Sequence, residues 1–180
     1  MTVRARILCS LAAAAGLLLA ACSGSSYSPT MANTNGRLSV QMTDAPSDDV
    51  SAINVYVTGL TIKPNDGPVQ KIANDVGLID ILQLQGTTKE LVDLGVPAGT
   101  YEFIQVELDQ ARSNVVEKTS GETKPLAIDS EEIKVLGGFT VPEGGDTTVT
   151  LDFKAEPSLQ HLGNGNWLLT PVIAQVSPAS

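Results

Sequence analysis

The chain is predicted to be all-β, an antiparallel sandwich of about eight or nine short strands with one short helical turn near residues 78–85. Two observations predict it. From Arg37 onward apolar residues recur with a period of two, and no stretch sustains a helical period. Turn-forming clusters of Gly, Pro, Asn, Asp and Ser interrupt these runs at roughly ten-residue spacing. With 180 residues, 42% of them hydrophobic, the chain has material for one domain and a short extension.

The strands follow in order. Leu38, Val40 and Met42 alternate with Ser39, Gln41 and Thr43, the pattern of a half-buried strand. Ile53, Val55 and Val57 repeat it, and Leu60 and Ile62 continue on the opposite parity, so a bulge or sharp twist is expected at Gly59. Pro64-Asn65-Asp66-Gly67-Pro68 is a turn, and Val69 to Ile72 reads as the returning strand. Gly77 to Gln85 departs from the period, with Asp80 placed to cap one helical turn over Ile81 to Leu84. The remaining strands are Leu91 to Leu94, Tyr101 to Ala111, Asn114 to Glu117, Lys124 to Ile128, Lys134 to Val141, Thr147 to Phe153 and Trp167 to Val176. Pro171 marks the last of these as an edge strand or one with a bulge. The alternation sends Ile104, Val106, Leu108, Val149, Leu151 and Phe153 to the core. It sends Glu107, Asp109 and Asp152 to water, on one shared face if their two strands pair.

The segment before Arg37 reads as an address. Arg4 and Arg6 precede an apolar run from Ile7 to Ala21, about 15 residues long, against the about 20 that a spanning helix needs. The run closes on Leu19-Ala20-Ala21-Cys22. Here the chain resembles bacterial lipoprotein precursors, whose lipobox is Leu, two small residues and Cys. The resemblance implies that residues 1–21 are removed, that Cys22 receives a diacylglyceryl group and that its new amine is acylated. It implies a membrane partner reached through that lipid, since more than one chain anchors stably. Ser23 stands where lipoproteins held in the inner membrane commonly carry Asp, which implies the outer membrane. Residues 22–36, rich in Ser, Gly, Asn and Thr, then read as a flexible tether, with a single domain over 37–177.

The two cysteines are Cys9 and Cys22, so a chain processed in this way keeps no thiol for a disulfide or a thiolate metal site. Loss of Arg4 and Arg6 takes the balance from 11 basic against 20 acidic residues to 9 against 20, a net charge of -11. Such a body does not suit a nucleic-acid backbone, which needs clustered Lys and Arg.

Gly36-Arg37-Leu38-Ser39-Val40-Gln41-Met42-Thr43-Asp44-Ala45-Pro46 opens a second resemblance. It is similar to the domain-of-unknown-function 4382 family of exported prokaryotic proteins, whose first strand ends in Thr-Asp-Ala-Pro. Val96-Pro97-Ala98-Gly99-Thr100-Tyr101 resembles the family's central turn, Leu151-Asp152-Phe153 its penultimate strand and Leu169-Thr170-Pro171-Val172-Ile173 its closing one. A Trp or similar residue after the second strand's turn is absent. The Pro-Ala-Gly-Thr-Tyr turn also resembles transthyretin-like and carboxypeptidase-regulatory sandwiches, which implies a transthyretin-like or immunoglobulin-like arrangement and says nothing about function.

Candidate sites are few. Asp44, Asp48 and Asp49 lie in one loop, and hard cations such as calcium take carboxylate oxygens. The spacing differs from Asp-x-Asp-x-Asp-Gly, and Pro46 stiffens the middle. The preferred reading has Asp44 accepting backbone N–H groups and the other two solvated. Glu107, Asp109 and Asp152 are the raw material of a carboxylate-dependent hydrolase, but a solvated sheet face explains them more simply. Trp167, beside the Gly-Asn-Gly-Asn turn, is the best exposed aromatic candidate for stacking on a sugar. His161, the one histidine, has no identifiable partner and reads as a loop residue. No Gly-x-Ser-x-Gly elbow or Ser-x-x-Lys pair accompanies the Ser and Thr residues. The expectation is a non-enzymatic, lipid-anchored binding or structural module without a cofactor, with a protein or glycan partner in the envelope. A glycan- or calcium-binding sandwich and, more weakly, the hydrolase are the alternatives.

Overall fold

A computed structural model describes residues 34–44, 49–163 and 165–176. Its strands are β1 (Asn35–Asp44), β2 (Val50–Pro64), β3 (Gln70–Asp80), β4 (Lys89–Pro97), β5 (Gly99–Glu117), β6 (Thr123–Ile128), β7 (Glu132–Val141), β8 (Asp146–Phe153), β9 (Leu159–Leu162), β10 (Asn166–Leu169) and β11 (Ile173–Val176). A 3-10 turn (Ile81–Leu84) follows β3, and one helical turn, α1 (Ala155–Ser158), follows β8. They form a sandwich. One sheet runs β11-β8-β1-β4 and the other β3-β2-β5-β6-β10-β9, with β7 also paired to β5.

Two features differ from the antiparallel expectation. β1 pairs parallel to β8, from Arg37 opposite Asp146 to Asp44 opposite Phe153, and β10 pairs parallel to β6. Each parallel pair joins strands far apart in the chain, a relation that local period cannot reveal. The count also rises to eleven among the described residues. The run from Trp167 to Val176 is split at Thr170 to Val172, where Pro171 has no N–H for a ladder, and β10 and β11 join different sheets. β9 was not anticipated, because its four residues are largely exposed and carry no alternation.

The inner faces supply the core. Leu38, Val40 and Met42 from β1 and Val149, Leu151 and Phe153 from β8 meet Ile53, Val55, Val57, Leu60 and Ile62 from β2 and Ile104, Val106 and Leu108 from β5, all buried. Each such side chain contributes about 1.5–3 kcal/mol of burial, so the alternation sets which face turns inward. The parity change expected at Gly59 appears as a register shift between Val57 and Gly59 against both neighbouring strands. The helical turn is capped as expected, with Asp80 Oδ1 accepting from Leu82 N at 3.2 Å, but β3 runs on through Gly77 to Asp80 before it begins.

β5 is the spine of the larger sheet. β2 lies along its whole length, from Val50 opposite Glu117 to Pro64 opposite Tyr101. On its other side β7 pairs with Gly99 to Glu107, and β6 pairs with Asn114 to Val116. Between the two partners, Gln110 to Ser113 bulge out of the ladder, since Tyr56 faces Asp109 while Asn54 faces Asn114. Ser113 fastens the bulge: its Oγ accepts from Tyr56 N at 3.0 Å and donates to the Asp109 carbonyl at 2.6 Å.

Candidate functional site

The Thr-Asp that ends β1 is a joint. Thr43 Oγ1 donates to the Thr87 carbonyl at 2.9 Å and reaches the Leu84 carbonyl at 3.3 Å. Asp44 is 7% exposed, and its Oδ1 accepts the backbone N–H of Ala155 at 3.1 Å. The carboxylate therefore does accept a backbone N–H, here from α1 far along the chain, while the turn that follows Asp44, residues 45–48, lies outside the described residues. Asp49 is exposed, and Asp48 and Cys22 lie outside the described residues. Among the described residues no group of three or more His, Cys, Asp or Glu side chains is placed to hold a metal ion.

Glu107, Asp109 and Asp152 do not share a face, because β5 and β8 belong to different sheets. Each carboxylate instead has its own cation. Lys71 Nζ lies 2.6 Å from Glu107 Oε2, and Thr61 Oγ1 donates to Oε1 at 2.9 Å. The bond from Lys71, helped by that from Thr61, holds Glu107 below the usual carboxylate range. Arg112 Nε donates to Asp109 Oδ2 at 2.6 Å and lowers its pKa in the same way. Lys154 Nζ pairs with Asp152. A glycosidase acid needs its pKa raised, and Glu107 and Asp109 are shifted the other way.

Trp167 is not the exposed platform its turn suggested. It is 5% exposed, its ring packs on His161 with centroids 4.6 Å apart, and its Nε1 donates to Glu117 Oε1 at 3.2 Å. His161 thus has a partner, the strand neighbour opposite it. Ser120 Oγ donates to Glu117 Oε2 at 2.7 Å, and this bond together with that from Trp167 lowers the Glu117 pKa. Asp49, Thr119, Glu117, His161 and Trp167 line a cleft of about 470 Å³.

A larger cleft, about 590 Å³, lies where the β5 bulge meets β6 and the β9–β10 hairpin. Arg112 stands on its edge with the guanidinium carbon 3.6 Å from the Tyr56 ring centroid. Asp75 completes this cluster, accepting from the Tyr56 hydroxyl at 2.7 Å and lying 3.5 Å from Arg112 Nη1. That bond raises the Tyr56 pKa. Asp75 holds a left-handed φ of 51°, a conformation Asp tolerates. Sequence reasoning missed this group. The one available sign was Arg112-Ser113 standing between two strand runs.

Among the described residues no helix is long and apolar enough to cross a membrane. The family model described as "Domain of unknown function (DUF4382)" matches residues 35–171, from the start of β1 to Pro171. No curated protein and no solved structure matches the chain.

Proposed function

The chain belongs to the DUF4382 family, and as that family is described only as a domain of unknown function, we propose a reading built on this chain's own residues: a lipid-anchored envelope protein whose sandwich binds or scaffolds a partner and does not catalyse. The observation that carries the non-enzymatic half is the pairing of Glu107, Asp109 and Asp152 with Lys71, Arg112 and Lys154. Carboxylates so paired are committed to holding the sheet surface, and Glu107 and Asp109 are shifted away from the raised pKa that a general acid needs. The anchoring half rests on Leu19-Ala20-Ala21-Cys22 closing an apolar run. Two or more acyl chains on Cys22 give stable membrane attachment. Ser23 after the Cys favours the outer membrane. The Ser-, Gly-, Asn- and Thr-rich sequence between Cys22 and the start of β1 at Asn35 is read as the tether, and the acidic body stands off an anionic membrane surface.

Mass spectrometry of the protein from its native membrane tests the anchor. The expected product begins at Cys22 and carries acyl mass, and Cys22→Ser moves the protein to the soluble fraction. An unmodified Cys22 sulfur overturns the anchor. Hydrolysis of a glycan panel that disappears in Glu107→Gln overturns the non-enzymatic half.

A further inference from the structure

The larger cleft offers hydrogen-bond donors. Gln110 Oε1 is occupied by Ile128 N at 2.8 Å, and Asn114 Oδ1 by Asn54 Nδ2 at 2.9 Å. With their oxygens so engaged, both amides keep NH₂ donors for a further partner. The two ionisable groups in the lining, Arg112 and Lys124, are cations and donate only. Among the described residues no carboxylate lines this cleft itself, though each cation has a carboxylate behind it, Asp109 and Asp75 for Arg112 and Glu122 for Lys124. The Ser113 hydroxyl already accepts from Tyr56 N and donates to the Asp109 carbonyl inside the bulge.

Arg112 is also pre-positioned. Tyr56 supports one face of its guanidinium and Asp109 and Asp75 hold its edge, yet 45% of the side chain remains exposed. A donor already held in place loses little freedom on binding. Lys124 is the opposite case. Its partner Glu122 is 64% exposed, and so solvated a pair exchanges readily for a better acceptor.

The geometry points to this cleft as the binding site for an acidic oligosaccharide, one whose uronate carboxylates meet Arg112 and Lys124 and whose hydroxyl oxygens accept from Gln110 and Asn114. A site rich in donors is complemented by a ligand rich in acceptors. An acidic peptide shares the charge but must place a backbone N–H at each residue on a lining whose side-chain acceptors are few, chiefly the Thr123 hydroxyl and the Asn166 amide. Sugar hydroxyls rotate to accept from the cleft and donate to water. The volume lies within the range of about 300–1,000 Å³ of small-ligand sites, and the open shape admits a chain passing across it. The inference rests on the binding reading above and supplies its ligand class.

Titration calorimetry of the purified full-length protein tests it with three probes: hexagalacturonate, cellohexaose and hexaglutamate. Saturable binding of hexagalacturonate is expected, weakened by added salt and exceeding that of the other two. Lys124→Gln is expected to weaken it about tenfold, the scale of one lost hydrogen bond to a charged group. Arg112→Ala should do at least as much. If that variant also melts early, Lys124→Gln, at a partly exposed position, still decides. No hexagalacturonate binding, or binding unchanged in Lys124→Gln, overturns the site. Cellohexaose bound as tightly overturns the role of charge, and hexaglutamate bound as tightly replaces the sugar with a peptide. Failure here with Cys22 still acylated leaves the anchored-module reading standing, whereas an unmodified Cys22 removes the anchor whatever the cleft binds.

Discussion

Asp44, the last residue of β1, accepts a hydrogen bond from the backbone N–H of Ala155, the first residue of α1, 111 positions later in the chain. The bond is buried. Asp44→Ala leaves that N–H without its acceptor and is expected to cost about 1–3 kcal/mol in urea denaturation. Asp44→Asn keeps an acceptor oxygen and should lose less. Equal midpoints for wild type and Asp44→Ala would show the joint to be idle.

Two glycines on β1 and β2 should respond differently to alanine. A Cβ on Gly36 would stand 2.4 Å from the Pro142 carbonyl oxygen and 2.9 Å from that of Gly145, both backbone atoms. At Gly59 it would meet Lys71 Cε at 2.6 Å, the far end of a flexible side chain. Gly36→Ala is expected to cost at least the 1–3 kcal/mol, about, of an overpacked core, and Gly59→Ala about 1 kcal/mol or less. Thermal melts of the two variants check the order, and a reversed order refutes the packing argument.

Acid should weaken the fold partly through Glu107. Its pKa in the folded chain lies below the ordinary 4.5, because Lys71 and then Thr61 bond the ionised form. The contribution is therefore complete above the unfolded value and disappears as pH falls through the lowered one. Glu107→Gln should be less stable than wild type at neutral pH by about 0.2–1 kcal/mol, the scale of a partly exposed pair. The difference should close below the lowered pKa. A gap that stays constant down the acid limb would assign the loss to packing instead.

Trp167 is the one tryptophan, so its fluorescence reports on a single place. Burial predicts blue-shifted emission and poor access to iodide in the native protein, with both reversed on unfolding. Glu117→Ala removes the acceptor for Nε1 and should lower the melting temperature. Ready quenching of the native protein would contradict the buried position.

Alternation made the layers legible. Every core position expected on Leu38 to Met42, Ile53 to Ile62, Ile104 to Leu108 and Val149 to Phe153 is buried, because period-two burial is a local property. The Asp80 cap and the shift at Gly59 were legible for the same reason. Pairing between distant strands was not. The parallel union of β1 with β8 and the separation of β5 from β8 depend on long-range order, and with them went the expected neighbourhood of Glu107, Asp109 and Asp152. Trp167 misled because the polar turn beside it suggested exposure, while its own parity put it opposite Leu126 and His161 on the inward side. The cleft was hidden in a bulge. Only the interruption at Arg112-Ser113 hinted at it, and its donor character depends on which amide oxygens are already taken.

The central position of β1 bears on how the molecule is made. Its two neighbours, β4 and β8, are synthesised after it, and β8 begins only at Asp146. For most of translation one flank of the first strand is therefore an open template, with alternate residues that are greasy and β-prone. A chain cut short upstream of Asp146 never covers that flank, so premature termination should yield sticky fragments rather than a smaller working module.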